Sequence, residues 1–158
     1  MKSGFAPHAR KHRIAMIFPD TSPRDVELIK SCDPENWHIG NSAGHYCNAT
    51  SEPWNKNFNM YTYVAQELPE LVQRYFPISS ERRGISGFSM GGGGALMIAA
   101  RNTKRYKSVT AFAPISNPVA SGFCKSAIKE YFGNDDHKLA NFDTCQVIAR
   151  NSSENADF

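Results

Sequence analysis

The sequence predicts an α/β fold, with central parallel strands and flanking helices, in a single domain over residues 1–158. Short apolar runs typical of buried strands alternate with segments of helical periodicity. A glycine-rich turn joins one predicted strand to the helix that follows it. The length of 158 residues, with 41% hydrophobic and 21% charged residues, fits one globular domain. Strands separated by helices indicate right-handed βαβ units.

The first predicted strand is the unbroken apolar run at residues 14–18, which fits a strand buried on both faces. Pro19 ends it. The stretch from Pro19 to Asn57 is irregular, is rich in Asn, Ser, Pro and Gly, and contains Trp37 and Trp54. A loop this long within one domain is usually functional rather than a linker.

A helix is predicted from Asn59, because apolar residues then recur at steps of three and four. We expect Asn59 to cap its start, Pro69 to kink it, and Phe76-Pro77 to end it. The apolar face consists of Met60, Val64, Leu68, Leu71, Val72 and Tyr75.

The rest of the chain predicts two more strands and two more helices. The strands are placed at residues 83–88 and 108–112, and the helices at residues 95–101 and 125–132. Gly133 is placed to cap the last helix. After Gly133 the sequence shows no clear pattern of secondary structure, and residues 151–158 are polar.

Composition and charge argue against several classes of protein. The net charge of +3 is too weak and too dispersed to predict nucleic-acid binding. The basic cluster Arg10 to Arg13 fits a solvated helix end better than a phosphate patch or a targeting signal. No apolar run approaches the length of a membrane span, and Met1 to His8 lack the apolar core of a secretory signal. We therefore expect a cytoplasmic protein without membrane contact.

The cysteines and histidines predict no metal site. The four cysteines, Cys32, Cys47, Cys124 and Cys145, form no Cys-x-x-Cys pair, and reduced thiols are the default in the cytosol. His38 and His45 are not spaced like ligands on a helix. No metal or other cofactor is expected.

The segment Gly87-Phe88-Ser89-Met90-Gly91 is a Gly-x-Ser-x-Gly pattern between a predicted strand and a predicted helix, the context of a nucleophile elbow. The serine must lie on a strained turn that projects its hydroxyl above the sheet, and small residues let that turn close. The Met90 N–H points toward a developing oxyanion. One alternative is a glycine-rich turn with an incidental serine. Another is a phosphate loop at Gly91 to Gly94, but no Lys-Ser/Thr follows it.

A general base for the serine is harder to find. The histidine downstream of Ser89 is His137, and the two residues before it are Asp135 and Asp136. Sequence neighbours cannot easily act as acid and base on separate strand-end loops, so this segment predicts a solvated turn. His38 and His45, in the long loop, remain alternative bases. His8 and His12 also remain, because catalytic triads that evolved independently do not share one order along the chain.

Several motifs together resemble S-formylglutathione hydrolase, also called esterase D, over residues 2–148. In chain order they are Pro19-Asp-Thr-Ser-Pro-Arg24, Ala43-Gly44, Ala49-Thr50, Glu52-Pro-Trp54, Met60-Tyr-x-Tyr63, Glu67-Leu-Pro69, Gly87-x-Ser-Met-Gly-Gly92, Gly94-Ala-Leu96, Tyr106-Lys-Ser-Val109 and Ala111-Phe-Ala-Pro-Ile115.

The resemblance implies a cytosolic serine thioesterase with an α/β-hydrolase fold. It would hydrolyse S-formylglutathione to glutathione and formate in formaldehyde detoxification, and it would also cleave small carboxylic esters. By resemblance Ser89 is the nucleophile, the Met90 amide is one oxyanion donor, and the loop with Trp37 and Trp54 lies near the site. A homodimer is compatible with the family.

The chain also departs from the family pattern. It resembles an incomplete domain, truncated at both ends, without the Leu-Ser-Gly-Leu-Thr segment of the second oxyanion donor and without the triad Asp and His. Phe88 and Gly93 stand where the family usually has histidines, and His38 stands where it usually has an acid. We therefore expect little turnover by these 158 residues alone. A non-catalytic truncated homologue and a general short-chain carboxylesterase remain the alternatives.

Overall fold

The structure is a computed structural model that describes residues 4–24, 27–30, 32 and 35–154. No helix of these ranges is long and apolar enough to cross a membrane. The α-helices are α1 (Phe5–His12), α2 (Glu27–Lys30), α3 (Met60–Thr62), α4 (Leu68–Tyr75), α5 (Met90–Ala100), α6 (Gly122–Phe132), α7 (Asp136–Phe142) and α8 (Thr144–Glu154), and the strands are β1 (Gly84–Phe88) and β2 (Ser108–Phe112).

The two strands form a parallel pair, in register from Gly84 opposite Ser108 to Phe88 opposite Phe112. Helix α5 connects them and packs against both, and α8 packs against α5. The βαβ prediction is therefore confirmed. Helix α5 begins at Met90, five residues before the predicted start, because the glycines that follow Ser89 are already helical.

The predicted strand at residues 14–18 is wrong. The segment has no assigned secondary structure, and Ile14 and Phe18 are 59% and 51% exposed. The Phe18 ring stacks on Phe5 of α1, with ring centroids 5.6 Å apart. An apolar run favours burial, but a strand also needs a neighbour for its backbone hydrogen bonds. In the described part of the chain β1 and β2 pair only with each other.

The helix predicted from Asn59 is present and ends at Tyr75, before Phe76-Pro77 as predicted, while the kink expected at Pro69 stays a prediction. A π-helical turn at Tyr63–Glu67 separates α3 from α4, and Pro69 lies at the start of α4. Proline has no N–H to donate to the preceding turn, and the wider turn accommodates that missing bond. The predicted cap is wrong, because the Asn59 side chain makes no capping hydrogen bond.

An aromatic cluster fixes the long loop to the C-terminal half. Trp54 and Phe58 pack edge-on to each other, and both contact the ring of Tyr131 on α6. The Tyr131 hydroxyl donates to the Ala43 carbonyl at 2.7 Å and accepts from the Gly40 amide at 2.8 Å. The loop therefore shares one buried core with α5 and α6, and a residue distant in sequence orders it.

The segment after Gly133 is more regular than the sequence indicates. Gly133 ends α6 with a positive φ of 70°, as expected. The predicted solvated turn at residues 134–137 is correct only in part: Asn134 is exposed in a bend, but α7 begins at Asp136 and carries an exposed His137. Asp135 caps α7 by accepting from the Lys138 amide, and Asp143 accepts from the Gln146 amide at the start of α8. Of the polar tail, residues 151–154 are helical and residues 155–158 lie outside the described ranges.

Candidate active site

Ser89 lies on a sharp turn between β1 and α5. Its φ and ψ are 55° and −117°, in the left-handed half of the map that residues with a side chain rarely adopt. The Ser89 amide donates to the Phe112 carbonyl at 2.9 Å. Its carbonyl accepts from the amides of Gly93 and Ile115 at 3.0 and 3.1 Å. Backbone hydrogen bonds to α5 and to the end of β2 and the residues after it therefore hold Ser89 in this conformation. Such a backbone conformation costs about 1–3 kcal/mol.

The turn depends on the absence of a side chain at Gly87. A Cβ there would overlap the Gly91 carbonyl on the first turn of α5. Gly92 lies close to the end of β2 and the residues after it, since its Cβ would stand 3.2 Å from the Phe112 carbonyl oxygen and 3.1 Å from Cα of Pro114. The glycines thus let the helix start directly above the strand, as the sequence predicts.

Met90 is the first residue of α5, and it is half-buried beside Ser89. Backbone N–H groups in the first turn of a helix lack partners within the helix and carry the positive end of its dipole. The Met90 amide is therefore suited to stabilise negative charge on a carbonyl oxygen attacked by Ser89.

The long loop lies against this elbow. The ring of Tyr46 packs on α5 so closely that a Cβ at Gly94 would overlap it, and its hydroxyl oxygen would be 3.7 Å from a Cβ at Gly91. Burial raises the pKa of Tyr46, and the negative charge of Asp20 adds to this shift. Asp20 is paired with Arg24 at 2.5 Å, where the strong hydrogen bond lowers the Asp20 pKa.

A small cavity lies beside the elbow. Its volume of about 10 Å³ is near the minimum for one water molecule and far below that of a substrate site. Beside this cavity, the hydroxyl of Thr144 at the start of α8 donates a hydrogen bond to the Gly93 carbonyl oxygen at 3.4 Å. The lining residues are His45, Met90, Gly93, Gly94, Met97, Ile115, Pro118, Phe142 and Thr144.

The histidines do not complete a catalytic pair. His45 is buried, its Nε2 lies 3.1 Å from the His38 carbonyl oxygen, and burial lowers its pKa. His8 and His12 are exposed on α1. In the part of the chain that the structure describes, no histidine or carboxylate hydrogen-bonds to the Ser89 hydroxyl. No group of three or more potential metal ligands occurs among these residues either.

The two tryptophans of the loop occupy different environments. Trp54 is 7% exposed and belongs to the aromatic cluster with Phe58 and Tyr131. Trp37 is 63% exposed, and its ring lies 4.0 Å from that of His38. Contact of either side chain with a substrate stays a prediction.

Two residues beside the elbow have no clear signal in the sequence. His45 and Tyr46 reach α5 through consecutive positive φ angles of 47° and 53°. Non-glycine residues rarely adopt this conformation, so no local pattern indicates it. The Tyr46 ring fills the space that Gly94 leaves open, and a run of glycines is the one hint that another side chain packs there.

A strand that turns at a strained serine into a glycine-rich helix, followed by a parallel strand, defines the α/β-hydrolase class. A comparison with protein families matches residues 1–155 to the family described as "Putative esterase". The chain therefore belongs to this esterase family and has a partial α/β-hydrolase fold.

Individual relatives agree with this result. The chain is 46% identical to mouse S-formylglutathione hydrolase over 154 residues, which cover 97% of the chain and 54% of the relative. It is 47% identical to the rat S-formylglutathione hydrolase over 92% of the chain and 51% of the relative. A solved S-formylglutathione hydrolase from Agrobacterium tumefaciens superposes with a TM-score of 0.83 at 39% identity, over 90% of this chain and 51% of that one. The chain spans about half the length of the relatives it matches.

Proposed function

We propose that this chain carries the nucleophile of a serine thioesterase that hydrolyses S-formylglutathione to glutathione and formate. Ser89 is the nucleophile, and the Met90 amide is one oxyanion donor. The observation that carries the proposal is the strained Ser89 turn at the head of α5. The identity of 46–47% to two mammalian S-formylglutathione hydrolases supports the choice of substrate.

The reaction has two steps. Ser89 Oγ attacks the thioester carbonyl carbon while its proton passes to a general base, and the oxyanion forms near the Met90 amide. Collapse of this intermediate breaks the C–S bond and releases glutathione, whose sulfur receives the proton. Water then attacks the formyl-serine ester, and formate leaves with regeneration of the Ser89 hydroxyl.

The base and its orienting carboxylate come, in this proposal, from polypeptide outside these 158 residues. No described histidine or carboxylate reaches the Ser89 hydroxyl. An enzyme stripped of triad members retains only about 10³–10⁴-fold acceleration over water. We therefore expect little turnover by the chain alone. A cytoplasmic location and a homodimer stay predictions.

A chimera tests the function. Residues 1–155 replace the matching half of the mouse relative, and hydrolysis of S-formylglutathione and of a short aryl ester is measured. We expect thioester hydrolysis that Ser89→Ala abolishes. A folded chimera without Ser89-dependent hydrolysis of either substrate contradicts the proposal. Preference for the aryl ester by kcat/KM identifies a general carboxylesterase instead.

A further inference from the structure

Positive charges concentrate at the end of the sheet opposite the Ser89 turn, where β1 and β2 begin. Four of the seven residues from Arg101 to Lys107, between α5 and β2, are Lys or Arg. Arg83 lies beside this segment, because its carbonyl oxygen accepts a hydrogen bond from the Lys107 amide at 2.8 Å. We call these five cations the strand-entry cluster: Arg83, Arg101, Lys104, Arg105 and Lys107.

The guanidinium of Arg83 is not saturated by the side chains around it. Its Nη1 atom is buried and has no hydrogen-bond partner within the described ranges. A buried charged donor without a partner is unfavourable, and native structures contain few of them. Arg83 therefore retains a capacity to donate hydrogen bonds that a bound anion can use.

Tyr106 brings two guanidinium groups of the cluster together. It is half-buried, and burial raises the pKa of its hydroxyl. The positive charges of Arg83 and Arg105 oppose that rise in pKa, so both lie close to the ring. Arg105 is itself half-buried in the tight turn that follows α5. Two arginines thus converge on one phenolic hydroxyl.

Tyr61 of α3 adds a second hydroxyl on the same side. Its hydroxyl oxygen accepts a hydrogen bond from the Asn102 side chain at 2.9 Å, and such a hydroxyl can still donate its own proton. The guanidinium carbon of Arg101 lies 4.6 Å from the centroid of the Tyr61 ring. Arginine, tyrosine and asparagine side chains therefore present N–H and O–H donors next to one another.

The cluster has no carboxylate partner in the part of the chain that the structure describes. The ion pairs there involve Arg24, Lys30 and Lys138, which lie outside the cluster. Neighbouring positive charges repel one another unless an anion lies between them. Guanidinium groups match the oxygens of a phosphate with paired hydrogen bonds, which a single-point cation cannot do.

We propose that the strand-entry cluster binds a phosphate group, with Arg83 and Arg105 donating to its oxygens. Helix α5 has 11 residues and separates this site from Ser89 by about 16 Å of helix. A ligand here does not compete with a substrate at Ser89. The inference does not depend on the proposed function, because binding of phosphate needs no catalytic step.

Titration of the full chain with inorganic phosphate and with glycerol phosphate tests the proposal. Side-chain N–H signals of arginine are followed by NMR at constant ionic strength, and we expect saturable shifts with a Kd of about 1 mM. Arg83→Gln and Arg105→Gln should each weaken binding about tenfold or more. Arg105→Lys should also weaken it, because an ammonium group lacks the planar fork. Arg82→Gln is the matched control, since Arg82 is exposed and its loss removes the same charge one residue away.

The pattern among the variants decides the outcome. Weakening by the Arg83 and Arg105 variants, with less than about a threefold change in Arg82→Gln, supports the site, because salt screens exposed charges. Tighter binding of one of the two probes then identifies free phosphate or a phosphate ester as the ligand. Should Arg83→Gln fail to fold by circular dichroism, the two Arg105 variants decide.

Four results overturn the proposal. They are the absence of saturable shifts, equal weakening by Arg82→Gln, equal binding of acetate, and backbone shifts centred on residues 90–94. The last result would place the phosphate at the N-terminus of α5, where unpaired amides also attract anions. Ser89→Ala should leave phosphate binding at the strand-entry cluster unchanged.

Discussion

The amide of Ser89 donates a hydrogen bond to the carbonyl oxygen of Phe112 at 2.9 Å. This bond joins the strained turn after β1 to the last residue of β2. Ser89 is therefore positioned by the neighbouring strand as well as by its own. A change that separates the two strands should disturb Ser89 even if it leaves α5 intact.

Gly87→Ala should lower the free energy of unfolding by about 1–3 kcal/mol. The added Cβ overlaps the Gly91 carbonyl, which is backbone and can move only if the turn opens. Urea unfolding followed by circular dichroism measures the loss. Gly122→Ala is the matched control, because its Cβ meets nothing within 4 Å on α6. An equal loss in both variants would contradict this account of the turn.

The Ser89→Gly variant should be more stable than the Ser89→Ala variant, with a free energy of unfolding about 1 kcal/mol higher. Glycine adopts the φ of 55° without the steric cost that a Cβ brings. Parallel urea titrations of the two variants provide the measurement, and both lack the hydroxyl, so the difference reports backbone strain. If the two variants are equally stable, the turn stores no strain at this position.

Tyr131→Phe should destabilise the protein by about 1–3 kcal/mol. The change removes the hydroxyl that bonds to Gly40 and Ala43, and leaves the Gly40 amide without its buried partner. Thermal or urea unfolding provides the measurement. Tyr75→Phe controls for the loss of a hydroxyl, because Tyr75 is 68% exposed. A neutral Tyr131→Phe would show that water replaces the hydroxyl.

Stability should fall as the pH drops below about 6.5, and His45 should account for part of the loss. Burial holds the pKa of His45 below its ordinary value of 6.5. The unfolded chain therefore takes up a proton at a higher pH than the folded chain, and acid favours unfolding. Unfolding free energies of His45→Gln from about pH 7.5 to about pH 5 should show a smaller decline than those of the parent chain. Equal declines in the two chains would contradict this role of His45.

Local chemistry explains which elements were predictable. The elbow, β1, α5 and β2 follow from a short motif and apolar runs, because the residue types that the turn requires are adjacent in the sequence. The segment at residues 14–18 carries the same apolar signal and still forms no strand in the described chain. Its conformation depends on a neighbour, and no property of the five residues encodes that neighbour.

The missed features include two local caps and one distant contact. Helices α7 and α8 begin directly after Asp135 and Asp143, whose side chains accept hydrogen bonds from amides three residues along the chain. Tyr46 reaches α5 through backbone angles that its residue type disfavours. Packing against Gly94 stabilises that conformation, and such a contact between residues far apart in sequence leaves no local pattern.

The two hydrogen bonds of Tyr131 span 91 and 88 residues of sequence. Contacts of such long range close a large loop, and the entropic cost of closing it is offset only when the two segments meet and pack. During synthesis the segment around Gly40 leaves the ribosome long before α6 exists. This segment therefore remains accessible to proteases and chaperones until α6 has been synthesised and Tyr131 can form its two hydrogen bonds.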